Sequence, residues 1–381
     1  MSQNPVSATS GAPLLDASTE CLTAAIRARP SRDSDPSHPM PGMPESDATR
    51  CIRTPTSGRT TRPQVTGYEI LEELGRGGMG VVYKAWQHSL QRAVALKMII
   101  AGSFAADEEL ARFRSEAMSV ARLHHPNLLS IYEIGESNGL PFYAMEYMEG
   151  GSLARRLNGQ PVAPHTAAAL VRSLAHAMDY AHKNGIVHRD LKPANILLAG
   201  SPSTPIEECV AKVTDFGIAK HLHQDASQTR TGDILGTPHY MAPEQAIGRP
   251  GEIGPAADVY SLGAILYELL TGRTPFHGLD GAAVLVKLTR EDPEPPSYFV
   301  RSVSRDLQTI CLKCLEKDPT KRYASAASLA EDLTRYLDNE PIHAKPASLT
   351  DRTLKWVRRR PAIASVLFMT AGILVLGFSM M

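Results

Sequence analysis

The sequence predicts a mixed α+β domain of about 270 residues, set between a disordered N-terminal tail and one C-terminal transmembrane helix. Three observations carry that reading. Strand-like, helix-like and turn-like pieces alternate from Tyr68 to about Leu337 with continuous hydrophobic periodicity. No aromatic side chain precedes Tyr68. Residues 362–381 contain no charged side chain.

Composition narrows the function classes. The 40 Lys and Arg balance the 40 Asp and Glu, so no basic field recruits nucleic acid, and none is expected as a partner. A hydrophobic share of 43% suits a globular core and argues against wholesale disorder or a polytopic membrane protein. The five cysteines, Cys21, Cys51, Cys209, Cys311 and Cys314, are few, odd in number and unevenly spread. That pattern speaks against a disulfide framework and for a reducing compartment.

Residues 1–66 are rich in Pro, Ser and Thr, with nine prolines between Pro5 and Pro63. Such a segment cannot bury enough apolar surface to offset its ordering entropy. It also lacks the basic start and apolar run of a secretory signal. The domain then opens on two strand-like pieces, Tyr68–Leu74 and Val81–Ala85, around Gly75-Arg76-Gly77-Gly78-Met79-Gly80. Glycines between strands let backbone N–H groups approach an anion, because no Cβ intervenes. A strand on both sides separates this segment from the strand-then-helix dinucleotide fingerprint and points to a glycine-rich lid over phosphates.

Val94-Ala95-Leu96-Lys97 reads as an apolar strand ending in one lysine, and Glu116 lies nineteen residues on in a helical pattern with Phe113, Val120 and Leu123 on one face. A lysine held by a glutamate presents a fixed cation to phosphates. The most informative block is His188-Arg189-Asp190-Leu191-Lys192-Pro193-Ala194-Asn195, followed twenty residues later by Asp215-Phe216-Gly217. Asn195 and Asp215 offer the hard oxygens that magnesium prefers. Asp190 supplies a carboxylate able to orient a hydroxyl and accept its proton, and Lys192 adds a second cation. Phosphoryl transfer asks mainly for positioning and charge neutralisation, which this group provides. Between Asn195 and Asp215, residues Gly200 to Glu208 lengthen the tip of a hairpin whose strands are Ile196–Leu198 and Lys212–Thr214.

Residues 338–360 read as a juxtamembrane linker containing Pro341 and Pro346, and 361–381 as the membrane helix. Twenty helical residues rise about 30 Å, the hydrocarbon thickness of a bilayer. Lys355, Arg358, Arg359 and Arg360, with Trp356, flank the span on its N-terminal side only, which leaves the large N-terminal portion in the cytoplasm. The expected protein is a single-pass, cell-membrane protein: either a tail anchor or a chain whose extracytoplasmic region has been lost.

These blocks, in this order, resemble the eukaryotic-type protein kinase superfamily, specifically a bacterial transmembrane Ser/Thr protein kinase, over about 270 of the 381 residues. The resemblance implies a two-lobed fold: an N-lobe and hinge over 68–148, with a small antiparallel sheet and helix αC, and a mainly helical C-lobe over 149–337. It implies ATP with Mg2+, or Mn2+ as an alternative, and protein substrates bearing Ser or Thr. Gly75, Gly77, Gly80 and Val82 match the loop over ATP, Lys97 the lysine on the α- and β-phosphates, and Glu116 its partner. Met145 falls at the gatekeeper, and Glu146, Tyr147 and Met148 at the adenine hinge. Asp190 matches the catalytic base, Lys192 the γ-phosphate contact, and Asn195 and Asp215 the metal ligands.

The resemblance extends to substrate class and regulation. Gly236-Thr237-Pro238-His239-Tyr240-Met241-Ala242-Pro243-Glu244 is similar to the Ser/Thr version of the substrate-docking loop. Thr229 and Thr231 align with autophosphorylated activation-loop threonines, whose phosphate could pair with Arg189 and order the loop in the molecule itself or a dimer partner. Asp258 matches the buried brace of the catalytic loop, and Arg322 the partner of Glu244. Cys311 and Cys314 lack a second ligand pair and read as small core residues, and His124-His125-Pro126-Asn127 reads as a loop.

Overall fold

The computed structural model describes residues 63–77, 80–99, 115, 117–216, 238–248, 253–278 and 280–344. Its first part is a five-stranded antiparallel sheet of β1 (Tyr68–Gly77), β2 (Gly80–Gln87), β3 (Arg92–Ile99), β4 (Ile131–Ser137) and β5 (Leu140–Glu146), in the order β1-β2-β3-β5-β4. The β1–β2 hairpin runs further than the sequence suggested. The expected break after Leu74 is bridged, because Gly75 pairs with Val82 and Gly77 with Gly80. Neither Gly75 nor Gly77 has a positive φ, so both stay in the ladder.

Alternation along β3 decides where its lysine goes. Val94, Leu96 and Met98 pack on the outer face with Tyr68, Ile70, Ala85, Phe142 and Ala144. Ala95 and Ile99 join the main core with Tyr143 and Met145. Lys97 lies between those two and therefore projects inward. Residues 117–121, after β3, are helical, and Ala117 is fully buried.

The second part is helical: α1 (Leu153–Leu157), α2 (Pro164–Lys183), α3 (Pro243–Ala246), α4 (Pro255–Thr271), α5 (Gly281–Arg290), α6 (Pro296–Phe299), α7 (Arg305–Cys314) and α8 (Ala326–Leu337). Starts and stops follow local chemistry. Ser152, Ser304 and Ser325 cap α1, α7 and α8 through their hydroxyls, Pro164 and Pro255 open α2 and α4, and Gly272 ends α4 at φ 69°. Helix α4 is apolar nearly all round and buried along most of its length, the pattern of a central core helix. It meets α7 very closely: a Cβ on Gly263 would stand 2.3 Å from Cβ of Cys314. Cys311 and Cys314 are fully buried there, with Cys311 Sγ 3.6 Å from the Gly263 carbonyl, as small core residues should be.

A short hairpin of β6 (Ile196–Ala199) and β7 (Val210–Val213) joins the two parts. Leu129 N–H donates to Val213 O at 2.9 Å, and Asn127 Nδ2 donates to Ala211 O at 2.8 Å. His125 accepts the Asn127 N–H, so the His-His-Pro-Asn segment is a loop, as expected. The lengthened tip is built as a turn with a short 3-10 helix, Ile206–Glu208, and the Arg156 guanidinium donates to the carbonyls of Ser201 and Thr204. Packing continues past Leu337, where buried Asp332 accepts the N–H groups of His343 and Ala344. Among the described residues no helix is long and apolar enough to cross a membrane. The tail read at 1–66 ends earlier than expected, because Val65 is buried and pairs with Tyr68, and the linker read from 338 begins later, because residues up to 344 still pack on α8. The tail up to residue 62, the linker beyond 344 and the span at 361–381 lie outside the described residues.

Candidate active site

The segment 188–195 is held from below by one buried carboxylate. Asp258, in the first turn of α4 and 1% exposed, accepts the backbone N–H of His188 at 2.8 Å and of Arg189 at 2.9 Å, and meets His182 Nε2 at 2.7 Å. Burial pushes its pKa up, but the hydrogen bond from His182 and the neighbouring His188 outweigh that and hold it below the usual carboxylate range. It is the brace that the sequence suggested. Arg189 adopts a left-handed backbone, φ 62°, a strained conformation that turns the next residue outward.

His188 links this segment to the one carrying Asp215. Its Nε2 faces the Thr214 carbonyl at 3.0 Å, and its Nδ1 faces the Asp190 N–H at 3.2 Å. A carbonyl needs a donor and an N–H needs an acceptor, so Nε2 serves Thr214 as donor and Nδ1 serves Asp190 as acceptor. The ring also stacks on Phe216 at 4.7 Å. On the exposed side, Asp190 Oδ2 accepts from Lys192 Nζ at 2.9 Å and Asn195 Nδ2 at 3.2 Å, and Asn195 Nδ2 donates to the Asp190 carbonyl at 2.8 Å.

Lys97 Nζ reaches Asp215 Oδ1 at 2.6 Å, and the Tyr143 hydroxyl donates to the same oxygen at 3.1 Å. Burial lowers the lysine's pKa, yet the facing Asp215 carboxylate and Tyr143 more than reverse it, and the net shift is upward. Burial likewise raises Asp215, but Lys97 overcomes it and the carboxyl ends below its ordinary value. Asp215, like Arg189, is left-handed at φ 57°. Glu116, the expected partner of Lys97, lies outside the described residues, as do Thr229 and Thr231.

Above this network, Gly80 is required by packing, since a Cβ would stand 2.2 Å from the Met98 carbonyl oxygen. Gly75 and Gly77 are different: a Cβ on either would meet nothing within 4 Å. Among the described residues nothing fills the space beside these two glycines, which suits an approaching phosphate chain. Val82 pairs with both Gly75 and Lys97. Met145 and Met148 are buried, with the Thr214 hydroxyl 4.0 Å from Met145 Sδ, and the Glu146 carboxylate is gripped by Lys212 at 2.7 and 2.8 Å.

The donor set suits a hard divalent cation. Asn195 commits its amide N–H groups to Asp190, which leaves its carbonyl oxygen as the acceptor. Both donors to Asp215 converge on Oδ1, which leaves Oδ2. Residue-by-residue reading missed several supports. Tyr143 was legible in principle, because it precedes Met145 by two on β5 and so shares its face, whereas Lys212 meets Glu146 across 66 residues. Gln245, whose amide donates to the Arg189 carbonyl at 2.8 Å, and His182 had no local signal.

Comparison with known proteins fits this geometry. The family described as "Protein kinase domain" matches residues 68–334. The serine/threonine-protein kinase PknB of Mycobacterium leprae is 39% identical over 298 residues, which cover 77% of this chain and 46% of that protein. PknB of Mycolicibacterium smegmatis is 40% identical over 290 residues, covering 74% and 45%. The chain thus spans less than half the length of these curated relatives. Among solved structures, the Mycobacterium tuberculosis PknI kinase domain aligns with a TM-score of 0.55 and 26% identity, over 71% of this chain and 97% of that one. Rad53 1-466 in complex with AMP-PNP aligns with a TM-score of 0.57 and 26% identity, over 69% and 64%.

Proposed function

This chain belongs to the protein kinase family, and on that premise we propose that it is a protein serine/threonine kinase that transfers the γ-phosphate of ATP to Ser and Thr hydroxyls of proteins. One observation carries the reading: Asp190, Lys192 and Asn195 form one hydrogen-bonded group, tied through His188 to the strand end that bears Asp215. Asp190 orients the incoming hydroxyl and accepts its proton, a contribution of about 10²–10⁴ in rate. Lys192, paired with Asp190 before substrate arrives, follows the charge that builds on the transferred group. Asn195 and Asp215 hold Mg2+, or Mn2+, through the oxygens left free by their other bonds. That cation neutralises phosphate charge when bound.

Lys97 leaves Asp215 for the α- and β-phosphates, so nucleotide entry exchanges one anionic partner for another. Gly75, Gly77, Gly80 and Val82 form the lid, and Met145, Glu146 and Met148 border the adenine. The AMP-PNP bound to Rad53 supports a nucleotide in this cleft. The Ser/Thr preference rests on Lys192 and on the named activity of the PknB relatives.

In the same reading, residues 68–337 form the kinase domain, with the lobes meeting near 148. The domain autophosphorylates Thr229 and Thr231, in cis or across a dimer, and residues 361–381 anchor it to the membrane with the domain in the cytoplasm. The test is transfer of labelled γ-phosphate to a protein acceptor by the full chain and by Asp190→Asn. Loss of label in the variant, with its fold intact, is expected; equal transfer overturns the reading. Mapping the modified residues checks both threonines. Fractionation of the chain with and without residues 356–381 checks the anchor.

A further inference from the structure

Tyr143 is a polar side chain in an apolar strand, and the function proposed so far gives it no task. It stands on β5 directly opposite Lys97 on β3 and is 4% exposed. A phenylalanine would fill the same space. The hydroxyl instead donates to Asp215 Oδ1 at 3.1 Å, the oxygen that Lys97 also holds at 2.6 Å. Two donors on one oxygen fix the rotation of the carboxylate and turn its other oxygen away from both.

We propose that Tyr143 is a positioning residue that keeps Asp215 oriented for its metal when Lys97 departs to the nucleotide. This rests on the kinase reading above. While Lys97 stays on Asp215, Lys97 and Tyr143 share the work. Once the ammonium turns to phosphate, the phenol is the donor left on Oδ1, and it sits on a strand whose position is set by pairing on both sides. A hydrogen bond to a liganding carboxylate fixes its geometry and tunes its affinity, and losing one costs about 10- to 100-fold in metal affinity or activity. The loss here should appear in the metal requirement. Affinity for metal-free nucleotide should change less than affinity for metal, because the Tyr143 hydroxyl donates to the liganding carboxylate itself.

The test is Mn2+ binding to the full-length protein in the presence of ADP, followed by electron paramagnetic resonance, for wild type and Tyr143→Phe. A fall in Mn2+ affinity of about tenfold or more, larger than any change in ADP affinity in the absence of metal, is expected. Mn2+ affinity within twofold of wild type in a folded variant overturns the proposal and leaves the kinase reading standing. Wild-type protein that binds no Mn2+ with nucleotide overturns the kinase reading itself. Should Tyr143→Phe not fold, Tyr143→Met fills similar volume without a donor and is judged by the same two outcomes.

Discussion

Arg322 uses every N–H it has. Nε donates to the Glu316 carbonyl at 2.8 Å. Nη1 donates to Glu244 Oε1 at 2.7 Å and the Ala256 carbonyl at 2.8 Å, and Nη2 to Glu244 Oε2 at 2.7 Å and the Lys317 carbonyl at 3.2 Å. Five donors meet five acceptors in a site where Arg322 is 4% and Glu244 7% exposed. The two partners are therefore unequal. Arg322→Met strands a buried carboxylate and strips three carbonyls, and should cost about 3–5 kcal/mol. Glu244→Gln keeps one acceptor and leaves the three carbonyl bonds in place, and should cost about 1.5–3 kcal/mol, the value of one charge-assisted bond. Removing both charges together, as Glu244→Gln with Arg322→Met, should cost less than the sum of the two separate changes, since neither charge is then left alone. Urea unfolding of the full chain, followed by far-ultraviolet circular dichroism, measures all four proteins. A cost below about 1 kcal/mol for Arg322→Met, or a larger cost for Glu244→Gln than for Arg322→Met, would refute the reasoning.

The glycines over the cleft should separate by role. Gly80→Ala forces a Cβ against a backbone oxygen and should lower the melting temperature of the nucleotide-free chain, whereas Gly77→Ala should leave it within a degree or so and weaken ATP binding instead. Equal melting temperatures for the two would contradict the packing argument. Acid stability should depend on Lys97. Because Lys97 holds Asp215 below its ordinary pKa, the pair's contribution is present above the usual carboxylate value, about 3.9, and fades as pH falls through the depressed one. Lys97→Met leaves burial to raise Asp215, so in the variant protonating that carboxyl favours the folded state and the loss of stability on acidification should be smaller than in wild type; superimposable acid limbs for the two proteins would exclude this coupling.

Local chemistry made the parts legible and left their junctions dark. The alternation that sends Lys97 inward, the proline and serine helix starts, and the run from His188 to Asn195 are all written within a few residues of one another. Asp190 and Asn195 meet because the single 3-10 turn Pro193–Asn195 folds its last residue back on the segment before it, a distance that spacing fixes. The bond between Lys97 and Asp215 spans 118 residues, and no window of sequence contains both. Asp258 was legible through its resemblance to a family position, but its triple acceptance from His182, His188 and Arg189 was not. The hairpin at Gly75–Gly80 was misjudged for a related reason: glycine signals freedom in isolation, while neighbouring strands hold it to extended geometry.

The missing methyl at Gly263 governs more than its own neighbourhood. It sets how deeply α4 lies against α7, and α4 carries, five residues earlier, the carboxylate from which the catalytic segment hangs. Enlarging that residue would lift the whole helix, and a misplacement of about 1 Å at a reacting group can cost about a hundredfold in rate. An inactivating allele could thus arise deep in the helical lobe, touching neither nucleotide nor acceptor, and a survey confined to the cleft would never find it.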